Sequence, residues 1–225
     1  MLHLMSLEKR TLLNAIVSVP LLWLLIFLPA GTARYWQGWL LITILVTIGV
    51  FTSAYFWRRD RGLLERRSRI AEKEPAQKVI VTLVYGLFLA IFVVSALDHR
   101  LRWSADIPML VAIGDLLVVL GLCVYFVVFR ENSFAASTIQ VAADQRVVSS
   151  GPYAVVRHPL YVGLLIFVSG IPLALGSYWG LLLVVPIVPL TIWRLHDEEA
   201  FLVKNLPGYA QYRAKVRWRL VPGLF

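Results

Sequence analysis

Gly151-Pro152-Tyr153-Ala154-Val155-Val156-Arg157-His158-Pro159-Leu160-Tyr161-Val162-Gly163 joins a polar segment to a long apolar one. Gly151-Pro152 reads as a turn, because glycine tolerates unusual dihedrals and proline fixes one. Pro159 suits the first turn of a helix, where its missing N–H would have had no partner. The continuous apolar run that follows, Leu160–Leu175, is then a helix, with His158 at its cap beside free N–H groups that favour anions. Arg157 adds a cation, and Tyr153 and Tyr161 add flat faces. Two readings fit these residues. One is a pocket for an anionic, aromatic-bearing small molecule at a membrane surface; the other is a rigid loop whose Arg and Tyr sit among lipid headgroups.

Working outward, composition sets the class. The chain is 59% hydrophobic and 16% charged, with mean hydropathy +0.74. A soluble domain of this length does not need that much apolar surface, so an integral membrane protein is expected. Apolar runs are continuous rather than alternating, which predicts helices and not a barrel. The net charge of +9 lies in segments flanking apolar spans. That distribution fits anionic lipid headgroups and argues against nucleic acid. Cys123 is the single cysteine, so no intrachain disulfide can form.

Upstream of the opening stretch, four spans are predicted: Thr11–Ala30, Gln37–Trp57, Val79–Leu97 and Pro108–Phe129. Ala30-Gly31-Thr32-Ala33 could be a signal cleavage site, but the run before it has the ~20-residue length of a spanning helix, and a retained helix is expected. Arg58 to Lys78 is the most charged segment, including Arg66, Arg67, Arg69 and Lys73 among its cations. The positive-inside rule puts it in the cytoplasm with the N-terminus, where Lys9 and Arg10 agree. The polar stretch Asp98 to Asp106 then faces outward, and Asp115 falls on the order of 10 Å inside the fourth span. A carboxylate there is either functional or paired, or close to the interface.

The cytoplasmic stretch Arg130 to His158, with Asn132, Gln140, Asp144, Gln145 and Arg146, is too long for a simple turn. Leu160–Leu175 and Leu181–Trp193 are each short for a ~30 Å crossing, and Pro172, Pro186 and Pro189 disturb them. They predict a kinked helical hairpin, so about six spans in all. The chain reads as one integrated domain, a transmembrane region over 1–129 and a cofactor-binding region over 130–225.

Near the end come Arg194-Leu195-His196-Asp197-Glu198-Glu199 and Pro207-Gly208-Tyr209-Ala210-Gln211-Tyr212-Arg213. Neighbouring glutamates point about 100° apart on a helix, so Glu198 and Glu199 cannot do the same job. Glu198 can pair with Arg194 one turn back, leaving Glu199 to face elsewhere. Tyr209 and Tyr212 share a face. An amphipathic interfacial tail would use the same residues.

Taken as an ordered set, Gly151-Pro152-Tyr153, Arg157-His158-Pro159-x-Tyr161-x-Gly163, a helical hairpin, Glu198-Glu199 and Tyr209-x-x-Tyr212 resemble the isoprenylcysteine carboxyl methyltransferase family. Phospholipid methyltransferases resemble this C-terminal pattern more distantly. The likeness runs from Arg130 onward. It implies an S-adenosylmethionine-dependent membrane methyltransferase without a Rossmann domain and without a metal, in the inner membrane of a bacterium with both termini cytoplasmic. No glycine-rich dinucleotide turn is present, as that implies.

The family roles carried onto this chain give a cofactor pocket of Tyr153, Arg157, His158, Tyr161, Gly163, Glu198 and Glu199. Asn132, Tyr209, Tyr212 and Lys215 fall on the acceptor side. The cation that orients the acceptor is Lys215, Arg217 or Arg219, and Arg157, Glu199, Arg217 and Arg219 are the residues implied in catalysis. The expected acceptor is lipophilic, a prenylated carboxylate or an isoprenoid or lipid acid reached through the bilayer. A membrane reductase of the sterol type, using NADPH, shares the C-terminal pocket, but this chain is short for one. A scaffold or transporter would string polar residues through the spans, and apart from Asp115 they are nearly devoid of them.

Overall fold

In the computed structural model, the described residues are 7–68, 72, 74–105, 107–135, 138–139, 141 and 145–225. Arg69, Lys73, Asp106, Gln140 and Asp144 lie outside them, as do the side chains of Lys9 and Arg10. Every regular element among the described residues is helical: α1 Leu7–Ala30, α2 Trp36–Arg59, α3 Arg61–Ser68, α4 Pro75–Leu101, α5 Pro108–Glu131, α6 Pro159–Ala174, α7 Trp179–Leu182, α8 Val184–Asn205 and α9 Tyr209–Lys215. Prolines open α4, α5 and α6, where a missing N–H costs nothing.

Among the described residues, four stretches are long and apolar enough to cross a membrane: Trp36–Arg59, Pro75–Leu101, Pro108–Glu131 and Trp179–Asn205. Ile16–Ala30 and Pro159–Ala174 are shorter apolar helices. The sequence reading stopped the last span at Trp193, and the structure corrects this. The helix continues through Asp197, Glu198 and Glu199 to Asn205, because those charges have partners to face. Pro172 and Pro189 lie inside helices and do not end them.

The first helix is part of the bundle, with Ile26, Phe27 and Ala30 buried in the main core. That core also takes in Leu41, Ile91, Phe92, Val118, Ile171 and Ile187, one side of each long helix. The last two apolar helices are joined by a turn, as a hairpin requires. The most extensive contact of α6, however, is with α5 and not with α8. Four glycines explain it. A Cβ on Gly114 would lie 2.1 Å from the Ala174 backbone nitrogen, and one on Gly121 2.7 Å from the Phe167 nitrogen. On the facing helix, a Cβ on Gly170 would meet the Val118 nitrogen at 2.7 Å, and one on Gly163 would meet Val124 at 3.0 Å. Lipid gives helices no hydrophobic reason to associate, so backbone approach at small residues supplies the packing.

At the end of the bundle away from the basic segment, Asp98 is buried and collects three bonds. The Ser104 amide and hydroxyl reach it at 2.7 and 2.6 Å, and the Ser177 hydroxyl at 2.5 Å. This carboxylate ties the end of α4 to the α6–α7 turn. At the opposite end lie the basic segment, the start of α6, the end of α8 and the C-terminal residues.

Candidate functional site

Gly151 takes φ +55° and opens a 3₁₀ turn, Gly151–Ala154, which presents Tyr153. Its neighbour Ser150 donates to Glu131 at the end of α5. The chain then runs extended to His158, the N-cap of α6. Here it pairs with the C-terminal segment through backbone bonds. Arg157 N–H donates to the Trp218 carbonyl at 2.9 Å and His158 N–H to that of Arg219 at 3.0 Å.

Side chains reinforce the join. Arg157 Nε donates to Glu199 Oε1 at 2.6 Å, and its Nη1 to the carbonyls of Val216 and Arg217 at 2.8 Å each. His158 Nε2 lies 3.1 Å from the same carboxylate oxygen, and Arg219 Nε donates to Glu199 Oε2 at 3.2 Å. Glu199 is 3% exposed, so its charge is met wholly by protein. Its helical neighbour points elsewhere: Glu198 Oε2 accepts the Tyr161 hydroxyl at 2.6 Å. The two glutamates thus differ, as their spacing requires, with the jobs the other way round from the reading above. Glu199 is the buried anchor and Glu198 the one that faces a cavity.

That cavity has a volume of about 240 Å³. One wall holds Tyr153, Arg157, His158 and Tyr161, and another holds Arg194, Glu198, Tyr209 and Tyr212. The segment after α5 covers it with Asn132, Phe134, Arg146 and Val147. A third wall comes from the first half of the chain, with Arg67 of α3, Tyr85 of α4 and Tyr125 of α5. Tyr85 is ten residues into α4, so the cavity reaches about 15 Å below that helix's start at ~1.5 Å per residue. It is also 52% exposed on the outside of α4. Tyr85 and Tyr125 thus bring two apolar helices of membrane-spanning length to the cavity.

Of the residues proposed from sequence, Asn132, Tyr153, Arg157, His158, Tyr161, Glu198, Tyr209 and Tyr212 line the cavity together. Gly163 is not among the lining residues; it sits in the α5–α6 seam. Glu199 and Arg219 lie behind the wall in the ion cluster. Lys215 and Arg217 are exposed outside it. Arg194 reaches beyond its own helix, donating to Glu72 at 2.5 Å and to Gln77 at 2.8 Å. Gln77 in turn donates to Asp197.

Arg67, Tyr85, Tyr125, Phe134 and Arg194 were not anticipated as lining residues. Phe134, like Arg146, stood in the Arg130 to His158 stretch already marked as functional.

Asn132 Nδ2 donates to the Tyr153 hydroxyl at 3.0 Å, and the Tyr212 hydroxyl to the Tyr153 carbonyl at 2.8 Å. Burial pushes the Tyr153 hydroxyl up to about 12 and raises Tyr209 and Tyr212 as well, so all three stay protonated donors at neutral pH. The Tyr209 hydroxyl is buried on the cavity wall without a hydrogen-bond partner. A buried polar group of that kind is costly unless something fills its site.

Chemically, the described residues offer a carboxylate, several aromatic faces and cations around a single space. Residues 109–207, less than half of the chain, match the phospholipid methyltransferase family model. The protein-S-isoprenylcysteine O-methyltransferase of Schizosaccharomyces pombe (strain 972 / ATCC 24843) is 40% identical over 79 residues, which is 32% of this chain and 32% of that relative. The match thus spans about a third of the relative's length. Together the two matches support the resemblance to the isoprenylcysteine carboxyl methyltransferase family, and residues 109–207 supply most of the cavity wall.

Proposed function

We propose that this protein is an S-adenosylmethionine-dependent membrane methyltransferase acting on the carboxylate of a lipophilic acceptor. The observation that carries the reading is a cavity that sets a carboxylate and many aromatic rings against two apolar helices of membrane-spanning length. The residues present fit the cofactor. Glu198, the acidic side chain on the wall among the described residues, suits its ammonium and sulfonium, and the rings of Tyr153 and Tyr161 suit its adenine. Tyr209 has a buried hydroxyl that needs a partner. Arg146 and the cavity-facing edge of Arg157 are cations for its carboxylate. When bound, the cofactor supplies an electrophilic methyl group.

The protein's own part is positioning. Tyr161 holds Glu198 in one orientation, and the Glu199 cluster fixes Arg157 and His158 behind the wall. A carboxylate acceptor is already ionised at neutral pH, so no general base is required. Holding its oxygen in line and excluding water supplies most of the rate. The segment after α5 closes the polar side, and an apolar chain would lie on the side that Tyr85 of α4 and Tyr125 of α5 line. Under this reading the basic segment, the cavity and the C-terminus face the cytoplasm, where the soluble cofactor is, and six helical segments cross or enter the bilayer.

Calorimetry on the detergent-solubilised protein tests this. S-adenosylmethionine is expected to bind and NADPH not to bind. A charge-assisted contact is worth about 1.5–3 kcal/mol, so Glu198→Gln should lose roughly tenfold to a hundredfold in cofactor affinity with little change in unfolding temperature. Binding of NADPH in place of S-adenosylmethionine would establish the reductase class instead.

A further inference from the structure

Asn132 is the C-cap of α5, where the backbone turns extended and leaves the helix. Its side chain works in two directions. Oδ1 accepts the Phe134 N–H at 3.0 Å, which fixes the plane of the amide, and Nδ2 is thereby aimed at the Tyr153 hydroxyl. Asn132, Phe134 and Tyr153 all line the cavity. A short turn outside a helix has few contacts of its own, so its position depends on what grips it from outside.

The grip comes from α3. Arg66 Nε donates to the Ser133 carbonyl at 2.8 Å, and its guanidinium lies over the Phe134 ring, 5.4 Å from the centroid. Arg66 thus holds the turn by one edge and one face while not itself lining the cavity. Its own helix is anchored in turn. Asp60 Oδ1 accepts the Leu63 N–H at 2.9 Å, as a helix N-cap does, and Leu63 is buried. The same Asp60 oxygen stands 3.7 Å from Arg66 Nη2. A side chain outside residues 109–207, the part that matches the family model, therefore fixes a turn inside that part.

We infer that Arg66 is a positioning residue for ligand binding: by holding Ser133 and Phe134 it keeps the Asn132 amide on Tyr153 and so sets that aromatic wall. It touches neither the ligand nor the reacting atoms. The identity of the ligand rests on the methyltransferase reading; what is added is control of its affinity by the basic segment. A lysine at 66 keeps a donor for Ser133 but loses the flat contact with Phe134.

The test uses the whole protein in phosphatidylcholine nanodiscs, with Arg66→Ala, Arg66→Lys, Asn132→Ala and the Arg66→Ala/Asn132→Ala double variant. Arg61→Ala is the control, a cation of the same helix whose contacts are with Trp57. Hydrogen exchange of the ligand-free protein reads the turn directly. Arg66→Ala should speed exchange of the segment 131–135 about tenfold, Arg66→Lys less, and Arg61→Ala not at all. Calorimetry with S-adenosylmethionine reads the consequence. Arg66→Ala and Asn132→Ala should each lose about three- to tenfold in affinity, and the double variant no more than the larger single loss. A role in general stability alone would give additive losses. If Arg66→Ala does not fold, Arg66→Lys, alone and with Asn132→Ala, carries the same comparison. Unchanged exchange in Arg66→Ala overturns the inference, as does faster exchange with unchanged affinity, additive losses, or an equal effect of Arg61→Ala. Failure of the wild type to bind S-adenosylmethionine strikes the methyltransferase reading instead, and the exchange measurement still decides whether Arg66 holds the turn.

Discussion

Glu199→Ala is expected to be among the most damaging single substitutions in the chain, and to act through stability before it acts on the cofactor. Glu199 is 3% exposed and meets Arg157, His158 and Arg219 at 2.6, 3.1 and 3.2 Å. Removing one partner from a buried ion cluster leaves uncompensated charge, at a cost of about 3–5 kcal/mol. Arg157 would keep its two carbonyl bonds to Val216 and Arg217 but lose the anion that neutralises it. Glu199→Gln keeps a hydrogen-bonding group there and should cost about 1–3 kcal/mol. The measurement is unfolding temperature in detergent, with protease sensitivity after residue 205 as a local readout. Glu198→Gln, one residue away, should do the reverse, lowering cofactor affinity and leaving stability alone. Wild-type stability for Glu199→Ala would show that the cluster holds nothing.

The second large effect lies in the bundle. Gly114→Ala and Gly121→Ala would push a methyl into backbone or Cβ atoms of α6 at 2.1 and 2.7 Å, where no side chain can rotate away. Overpacking of that kind costs typically about 1–3 kcal/mol, and the 2.1 Å approach at Gly114 belongs at the upper end or beyond. Gly49→Ala and Gly86→Ala are the controls, since a Cβ at either meets nothing within 4 Å. On helix propensity those two should be neutral or gain up to about 1 kcal/mol. Thermal unfolding of the four variants separates the cases. Equal behaviour across all four would mean that α5 and α6 are not held by close backbone approach.

What could be read from the sequence follows from how local each signal is. Apolar runs bounded by proline and arginine gave the helices to within a few residues, because span length and cap chemistry are properties of a short window. The last apolar segment was bounded at Trp193 because the charges of His196-Asp197-Glu198-Glu199 do not read as part of a span unless their partners are known. Those partners lie far off, at Arg157, Tyr161 and Gln77. The 100° offset showed that Glu198 and Glu199 differ but carries no sign, and so could not say which was buried. Gly163 matched a motif, yet what demands a glycine there is Val124 on another helix. Arg67 was hidden among eight cations of a basic segment, and its contacts at Phe129 and Ala135 are more than sixty positions away.

Those separations bear on how the protein is made. Arg66 and Arg67 hold Ser133 and Ala135, Glu72 holds Arg194, and Arg157 waits for carbonyls at Val216 and Arg217. A chain emerging from the ribosome can insert its helices one after another, each from its own sequence. The cavity cannot form until the final segment has been synthesised and has docked beside Arg157. Contacts of such high sequence separation close slowly. Late in biogenesis, then, there is an interval in which the helices are inserted while Arg157 and His158 lack their partners, and it is in this interval that a quality-control protease would find its opening.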